Sequence, residues 1–265
     1  MYDFEFIRAR TVDEAVAALA ADDEAMALSG GQTLLPTMKQ RLASPTKLVS
    51  LTAIPGMQGV ALDDEGRLCV KAATPHAVVA REAASPYPAL AQLAGQIGDP
   101  AVRSRGTIGG SLANNDPSAC YPAAALGSNA LIRTNARDID ADVYFQGMFA
   151  TALEPGEIVT EVVFPIPEAA AYAKFAQPAS RFALVGVFVA RYFDGVRVAV
   201  TGASGEGVYR WTEAEEALSA EFTAAALDGV AASSEGMIAD IHGSAEYRAH
   251  LVGVMTRRAV AAAVA

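Results

Sequence analysis

Two glycine pairs are the residues best spaced for chemistry: SGGQTLL at 29–35 and RGTIGGS at 105–111. Consecutive glycines reach backbone angles closed to other residues, and without a Cβ they let a ligand lie against the chain. Successive N–H groups that point the same way form a nest that binds an anion with no formal positive charge. Ser29, Thr33, Thr107 and Ser111 add hydroxyls beside the pairs, and Arg103 and Arg105 are the nearby cations. A single Gly-Gly pair reads as a tight turn. Two pairs with similar hydroxyl flanks point instead to a diphosphate held by backbone from two places. Neither stretch matches G-x-G-x-x-G or G-x-x-x-x-G-K-[ST], so neither a Rossmann dinucleotide site nor a P-loop is indicated.

Other chemistries find less support. Cys69 and Cys120 lie far apart with no CxxC spacing, which suggests neither a disulfide framework nor a zinc or iron–sulfur site, and both read as reduced thiols. His76, His242 and His250 lack metal-ligand spacing and read as helix-end or surface histidines. The formal net charge of -10 argues against nucleic-acid binding, which needs clustered Lys and Arg. MYDFEFIRAR has acids where a secretory signal has an apolar core, and the longest strongly apolar run, FALVGVFVA at 182–190, is too short for a transmembrane helix. A cytoplasmic protein with no transmembrane segment is expected.

Certain elements must position the glycines. YDFEFIRA reads as a strand, followed by a helix that Thr11 and Glu14 open as a capping box. MALS at 26–29 is a short strand running straight into the first Gly-Gly. KLVSL at 47–51 and RLCVKAA at 67–73 are further strands, and Thr74-Pro75 opens a helix with Thr as N-cap. A helix is expected over about 88–97, then a long loop over 99–122, a length that within a domain usually signals function. Strands follow in ALIRTN, DIDADVY and EIVTEVVFP, and Asp194-Gly195 marks a hairpin between FALVGVFVARYF and VRVAVTGAS. Thr212 and Glu215 form a second capping box, and the tail from Ser244 has a helical period. PIPEAAA breaks the strand pattern and marks a domain boundary near 166–170.

SGGQTLLP, RSRGTIGGSLANNDP, PASRFALVGV, VRVAVTGAS, YRWTEAEEAL and HGSAEYRAHL together resemble the flavin-binding medium subunit of molybdenum hydroxylases, the group that includes carbon monoxide dehydrogenase and xanthine dehydrogenase. The resemblance spans nearly the whole chain. It implies an α+β protein: a PCMH-type, vanillyl-alcohol oxidase-like FAD-binding domain over 1–168, made of two α/β subdomains (about 1–53 and 54–168), and a C-terminal α/β domain over 169–265 like that of carbon monoxide dehydrogenase flavoproteins. It further implies that both loops clasp the FAD pyrophosphate and adjoining groups, through Ser29, Gly30, Gly31, Gln32, Thr33, Leu34 and Leu35 on one side and Thr107, Ile108, Gly109, Gly110 and Ser111 on the other. An acid that the family often places beyond the second motif aligns with Cys120, and Asp116 is the nearby acid that would replace it or would simply make an Asn-Asp-Pro turn. Ile158 matches a position whose backbone meets the flavin ring, though as a strand residue it reads more simply as core; Tyr172 and Lys174 stand before PASRFALVG, and Leu184 takes a place where xanthine dehydrogenases carry a lysine near the ring.

The implied role is electron transfer. In the family's scheme a large subunit with a molybdenum cofactor hydroxylates the substrate, electrons pass through 2Fe-2S clusters of a small subunit, and FAD on the medium subunit is reoxidised by quinone, oxygen or NAD. Two cysteines are too few for the clusters, so these groups belong to separate chains. A self-contained flavin oxidase is the competing reading; it requires a catalytic Tyr, His or Arg beside a closed pocket. An assembly-only subunit without cofactor is a third.

Overall fold

The computed structural model describes all 265 residues and holds three sheets. The first is small and parallel. β1 (Glu5–Arg8), α1 (Val12–Ala20), β2 (Ala25–Leu28), α2 (Leu34–Lys39) and β3 (Lys47–Ser50) fold so that β3 lies between β1 and β2. Thr11 Oγ1 accepts from Glu14 N at 3.0 Å, and the Glu14 carboxylate accepts from Arg10 N, so the expected cap is present. β2 ends at Leu28, and the first glycine loop fills the gap between β2 and α2.

The second sheet, in order β4-β5-β8-β6-β7, is antiparallel. Its strands are β4 (Val60–Leu62), β5 (Leu68–Lys71), β6 (Leu131–Thr134), β7 (Asp138–Asp140) and β8 (Val159–Phe164). Five helices, α3 (His76–Glu82), α4 (Pro88–Gly95), α5 (Pro100–Arg105), α6 (Ile108–Asn114) and α7 (Tyr121–Gly127), are inserted between β5 and β6, and α8 (Ala141–Tyr144) follows β7. The stretch 99–122, expected as loop, is therefore largely helical. Asp99 Oδ1 accepts from Val102 N at 2.9 Å ahead of Pro100, and Thr107 caps α6, so these turn-forming residues start helices rather than break them. At the head of α3 the N-cap is Pro75, not Thr74. The Thr74 hydroxyl is taken by both backbone polar groups of Gly59.

The third sheet, in order β12-β11-β10-β9, joins β9 (Ala169–Ala176), β10 (Ala183–Tyr192), β11 (Gly195–Thr201) and β12 (Tyr209–Arg210), with α9 (Thr212–Ala220) and α10 (Ala245–Ala263) against one face. Tyr192 pairs with Gly195, so the hairpin loop is Phe193-Asp194, one residue earlier than the Asp-Gly signal places it. The second capping box does not form: Trp211 is the N-cap, and the Glu215 carboxylate accepts from Val198 N and Arg210 instead. β10 is buried along most of its length. Val185, Val187 and Val189 pack with Val252, Met255 and Val260 of α10, whereas Phe188 and Ala190 join the core of the second sheet with Tyr87, Tyr121 and Phe164. Burial on two faces explains why this strand reads as a continuous apolar run.

Candidate functional site

The three sheets meet around a cleft of about 1060 Å³, at the upper end of the roughly 300–1,000 Å³ typical of ligand sites. Its wall takes Leu28 to Leu34 from the end of β2 and the loop after it, Gly106 to Cys120 in part from the helical insertion, Leu153 to Val159 in part from the loop that leads into β8 of the second sheet, and Ser180 to Phe182 from the β9–β10 turn. Both glycine loops line it.

The loops meet directly. A Cβ on Gly30 would stand 2.1 Å from Arg105 O and 2.7 Å from Gly106 Cα, so only glycine lets the two backbones touch here. Thr107 Oγ1 donates to Ser29 Oγ at 2.9 Å and accepts from Gly110 N at 3.2 Å, tying the first loop to the cap of α6. Gly31 has φ +69°, a left-handed angle that turns the chain from β2 into α2.

The loops differ in what they offer a ligand. No backbone N–H from Ser29 through Leu34 donates to any protein acceptor. In the second loop the amides are spent: Ile108 N on Thr74 O, Gly109 N on Ala72 O, Gly110 N on Thr107 Oγ1 and Ser111 N on Thr107 O. The expectation of amide nests in both loops is corrected on this point, because an antiparallel bridge between Pro75 and Thr107 and the cap of α6 consume the second set. Gly109 lies against Ala72, while Gly110 faces open cleft apart from Thr107 Oγ1. The second loop thus supplies shape and hydroxyls, and the first supplies donors.

Of the residues singled out from sequence, Ser29, Gly30, Gly31, Gln32, Thr33, Leu34, Thr107, Gly109, Gly110, Ser111, Asp116 and Ile158 line this one cleft. Leu35 and Ile108 do not; Ile108 is core, and Leu35 packs beneath Gly31. Asp116 makes the Asx turn, accepting from Ser118 N at 2.8 Å through Oδ1, and its other oxygen has no protein partner. Burial holds its carboxyl above the usual carboxylate range. Ile158 offers hydrocarbon, since its N–H donates to Asn135 Oδ1 and its C=O accepts from Asn135 N. Lys174 is behind the wall, its ammonium donating to Gln96 O, Arg181 O and Cys120 Sγ. Leu184 sits in the core of the third sheet, its carbonyl held by Arg248.

Several cleft residues were not legible in the sequence. His76, read as a surface or helix-end histidine, does begin α3 but is 5% exposed and lines the cleft. Its Nδ1 has no partner, and burial, with Arg103 adding repulsion, pushes its pKa down to about 4. Arg181 and Phe182 enter from the hairpin turn, and Glu157, held by Arg137, from the loop before β8. No periodicity marks any of them; PASRF carries Arg181 and Phe182 inside a stretch of the resemblance, which was their one signal.

Residues 2–167 match the family described as the FAD binding domain in molybdopterin dehydrogenase. The chain is 34% identical to the nicotine 6-hydroxylase medium subunit of Paenarthrobacter nicotinovorans, over 94% of this chain and 93% of that one. It is 31% identical to the carbon monoxide dehydrogenase medium chain of Afipia carboxidovorans, over 97% and 95%. Among solved structures it superposes on a chain of the reconstituted CO dehydrogenase from Oligotropha carboxidovorans with a TM-score of 0.89 at 29% identity, covering 99% of this chain and 98% of that one.

Proposed function

Because this chain belongs to the family built on the FAD-binding domain of molybdopterin dehydrogenases, we propose that its three-sheet cleft holds FAD with the diphosphate on the first glycine loop. The chain is the FAD-binding, electron-transfer subunit of a heteromeric molybdenum hydroxylase. The large subunit carries the molybdenum cofactor, the small subunit carries 2Fe-2S clusters, and electrons leave those clusters through FAD for an external acceptor, either quinone, oxygen or NAD. The PCMH-type domain is assigned to 1–168 and the second domain to 169–265. No helix is long and apolar enough to cross a membrane; a cytoplasmic location is part of the proposal.

The observation that carries this reading is the run of unsatisfied amides from Ser29 to Leu34 beside the bare face of Gly110. A run of N–H groups with no protein partner, beginning at the buried Gly30 and lying along a cleft, is a ready site for an acceptor-rich ligand. A diphosphate supplies such oxygens, and a loop that binds through backbone needs no cation of its own. Asp116 offers a free carboxylate oxygen to a hydroxyl of the ribityl or ribose group, Ser29 and Ser111 offer hydroxyls, and Ile97, Val102, Leu153 and Ile158 exclude water. FAD supplies the one- and two-electron chemistry when bound. The cleft collects donors and bare backbone rather than a nucleophile paired with a base, which suits electron transfer.

Titration of the flavin-free chain with FAD and with riboflavin, followed by flavin fluorescence, tests the reading. One FAD per chain is expected, with riboflavin bound far more weakly. A folded chain that binds riboflavin as tightly as FAD rules out the diphosphate contact.

A further inference from the structure

Three cations converge on the carbonyl end of α4. Lys174 donates from Nζ to Gln96 O at 2.6 Å, Arg103 from Nη1 to Ile97 O and Gly98 O, each at 3.0 Å, and Arg181 from Nη1 to Gly98 O at 3.4 Å. A helix C-terminus favours positive charge, but its macrodipole amounts to only about half an elementary charge. The neighbouring carboxylate, Asp99, accepts from Val102 N at the cap of α5 and keeps its charge beside Arg103 and Arg181, so one anion stands against the three cations. The same turn is a wall of the cleft: Ile97, Gly98 and Val102 line it, and Arg181 and Phe182 adjoin them. Of the acids that line the cleft, Asp22 and Asp23 belong to the α1–β2 turn of the first sheet, Glu157 is paired with Arg137, and Asp116 accepts from Ser118 N.

Arg181 is held in a costly conformation. Its φ is +62°, a left-handed backbone that costs a non-glycine residue about 1–2 kcal/mol. Arg181 N donates to Gln177 O and Gln177 N to Phe182 O, both at 2.8 Å, and Arg181 O accepts from Lys174 Nζ at 3.0 Å. An ammonium has three donors, and those of Lys174 go to Gln96 O, Arg181 O and, at 3.7 Å, Cys120 Sγ. None remains for a ligand. Its charge is another matter, because a partly buried charge is screened less than one in water and acts over several ångströms. Cys120, which it touches, lines the cleft.

We propose that Lys174 is a positioning residue and a source of field for the flavin rather than one of its ligands. It fixes the Arg181–Phe182 turn in the cleft wall and, with Arg103 and Arg181, makes that wall electropositive, so that the reduced, anionic form of FAD is favoured. The inference rests on the reading that the cleft holds FAD. Oxidised flavin takes up two electrons, supplied by the partner's iron–sulfur clusters, and one proton to reach that anion, and a second proton neutralises it; positive charge nearby raises the potential of the first process.

The test compares wild-type holoprotein with Lys174→Arg, Lys174→Gln and Arg103→Gln, measuring the flavin midpoint potential and the FAD dissociation constant of each. Gln keeps an N–H for Gln96 O and removes the charge; Arg keeps the charge. Lys174→Gln and Arg103→Gln are each expected to shift the equilibrium toward oxidised flavin about tenfold, close to 30 mV downward for a two-electron couple. Lys174→Arg is expected to stay at the wild-type potential. Unchanged potentials in both Gln variants overturn the inference, as does a Lys174→Arg potential as low as that of Lys174→Gln. If Lys174→Gln fails to retain FAD, Arg103→Gln, which enters from α5, decides alone. A folded wild-type chain that binds no FAD is recognised before any variant is made and removes the underlying reading as well.

Discussion

Alanine at Gly109 and alanine at Gly110 should have opposite effects although the two residues are neighbours. A Cβ on Gly109 would stand 2.5 Å from Ala72 Cβ and 2.8 Å from Ala72 O, and Gly109 N donates to that same oxygen at 2.8 Å. The backbone must withdraw from Ala72. A lost hydrogen bond of about 1 kcal/mol and overpacking of about 1–3 kcal/mol give about 2–4 kcal/mol of lost stability. For a chain of this size that lowers Tm by about 5–15 °C. A Cβ on Gly110 meets only Thr107 Oγ1 at 3.0 Å and Ser29 Cβ at 3.8 Å, and beyond these it projects into the cleft. Within α6 alanine is a better helix former than glycine by about 1 kcal/mol, which offsets the crowding of Thr107. The flavin-free Gly110→Ala protein should therefore melt within a few degrees of wild type. The same methyl group takes space from the ligand, at a cost of about 1–3 kcal/mol, so FAD should bind about 5- to 150-fold more weakly. Far-UV circular dichroism melts and FAD fluorescence titrations measure the two effects separately. Wild-type FAD affinity in Gly110→Ala, or a wild-type melt in Gly109→Ala, would refute the assignment of one glycine to the ligand and the other to packing.

His76 gives a pH signature. Its folded pKa of about 4 lies below the unfolded value near 6.5, so stability is full above pH 6.5 and falls by roughly 3 kcal/mol as the pH drops to 4. Urea melts at pH 7.5 and 4.5 should show His76→Gln losing much less between the two pH values than wild type; equal losses contradict a neutral buried imidazole. Asp116→Asn keeps the Asx turn, because an amide oxygen still accepts from Ser118 N, and removes the charged acceptor. It should weaken FAD binding about 10- to 150-fold with little change in Tm, and an unchanged dissociation constant would leave Asp116 with the turn alone. Thr107→Val removes both the cap of α6 and the bridge to Ser29, costing about 0.5–2 kcal/mol of stability, whereas Thr107→Ser should retain both. A Ser variant that melts with the Val variant would exclude the hydroxyl as the cause.

Where a local rule and a local partner coincide, the sequence is readable. Thr11 caps α1 and contacts Glu14 three residues on, and β10 advertises its two-sided burial as an unbroken apolar run. The rule misleads where a residue's hydrogen bonds go elsewhere. Thr74 is drawn to Gly59, and Glu215 is drawn to Val198 and Arg210, so neither makes the cap its spacing suggests. The stretch 99–122 shows the converse. Its Pro, Asn and Asp residues are breakers by composition, yet Asp99 and Thr107 each accept the amide three residues ahead and start a helix. His76 and Arg181 face the cleft because other segments close around them, and nothing in their own neighbourhood encodes that.

The glycine loops make the same point about function. SGGQT and TIGGS look equivalent as strings, and chemical equivalence was the natural expectation. They separate because of what stands behind each. The first loop leaves the end of a parallel strand with no partner for its amides, whereas the second is pressed against Ala72 and Thr74, which take the amides that would otherwise face the cleft. Gly30 then brings the loops into backbone contact, so the spent loop becomes a floor for the donor loop. An anion placed there meets unpaired N–H groups on one side and bare, satisfied backbone on the other. Affinity should therefore respond to Gly31, whose left-handed φ holds the loop's N–H groups in place, through displaced donors, and to Gly110 through lost space.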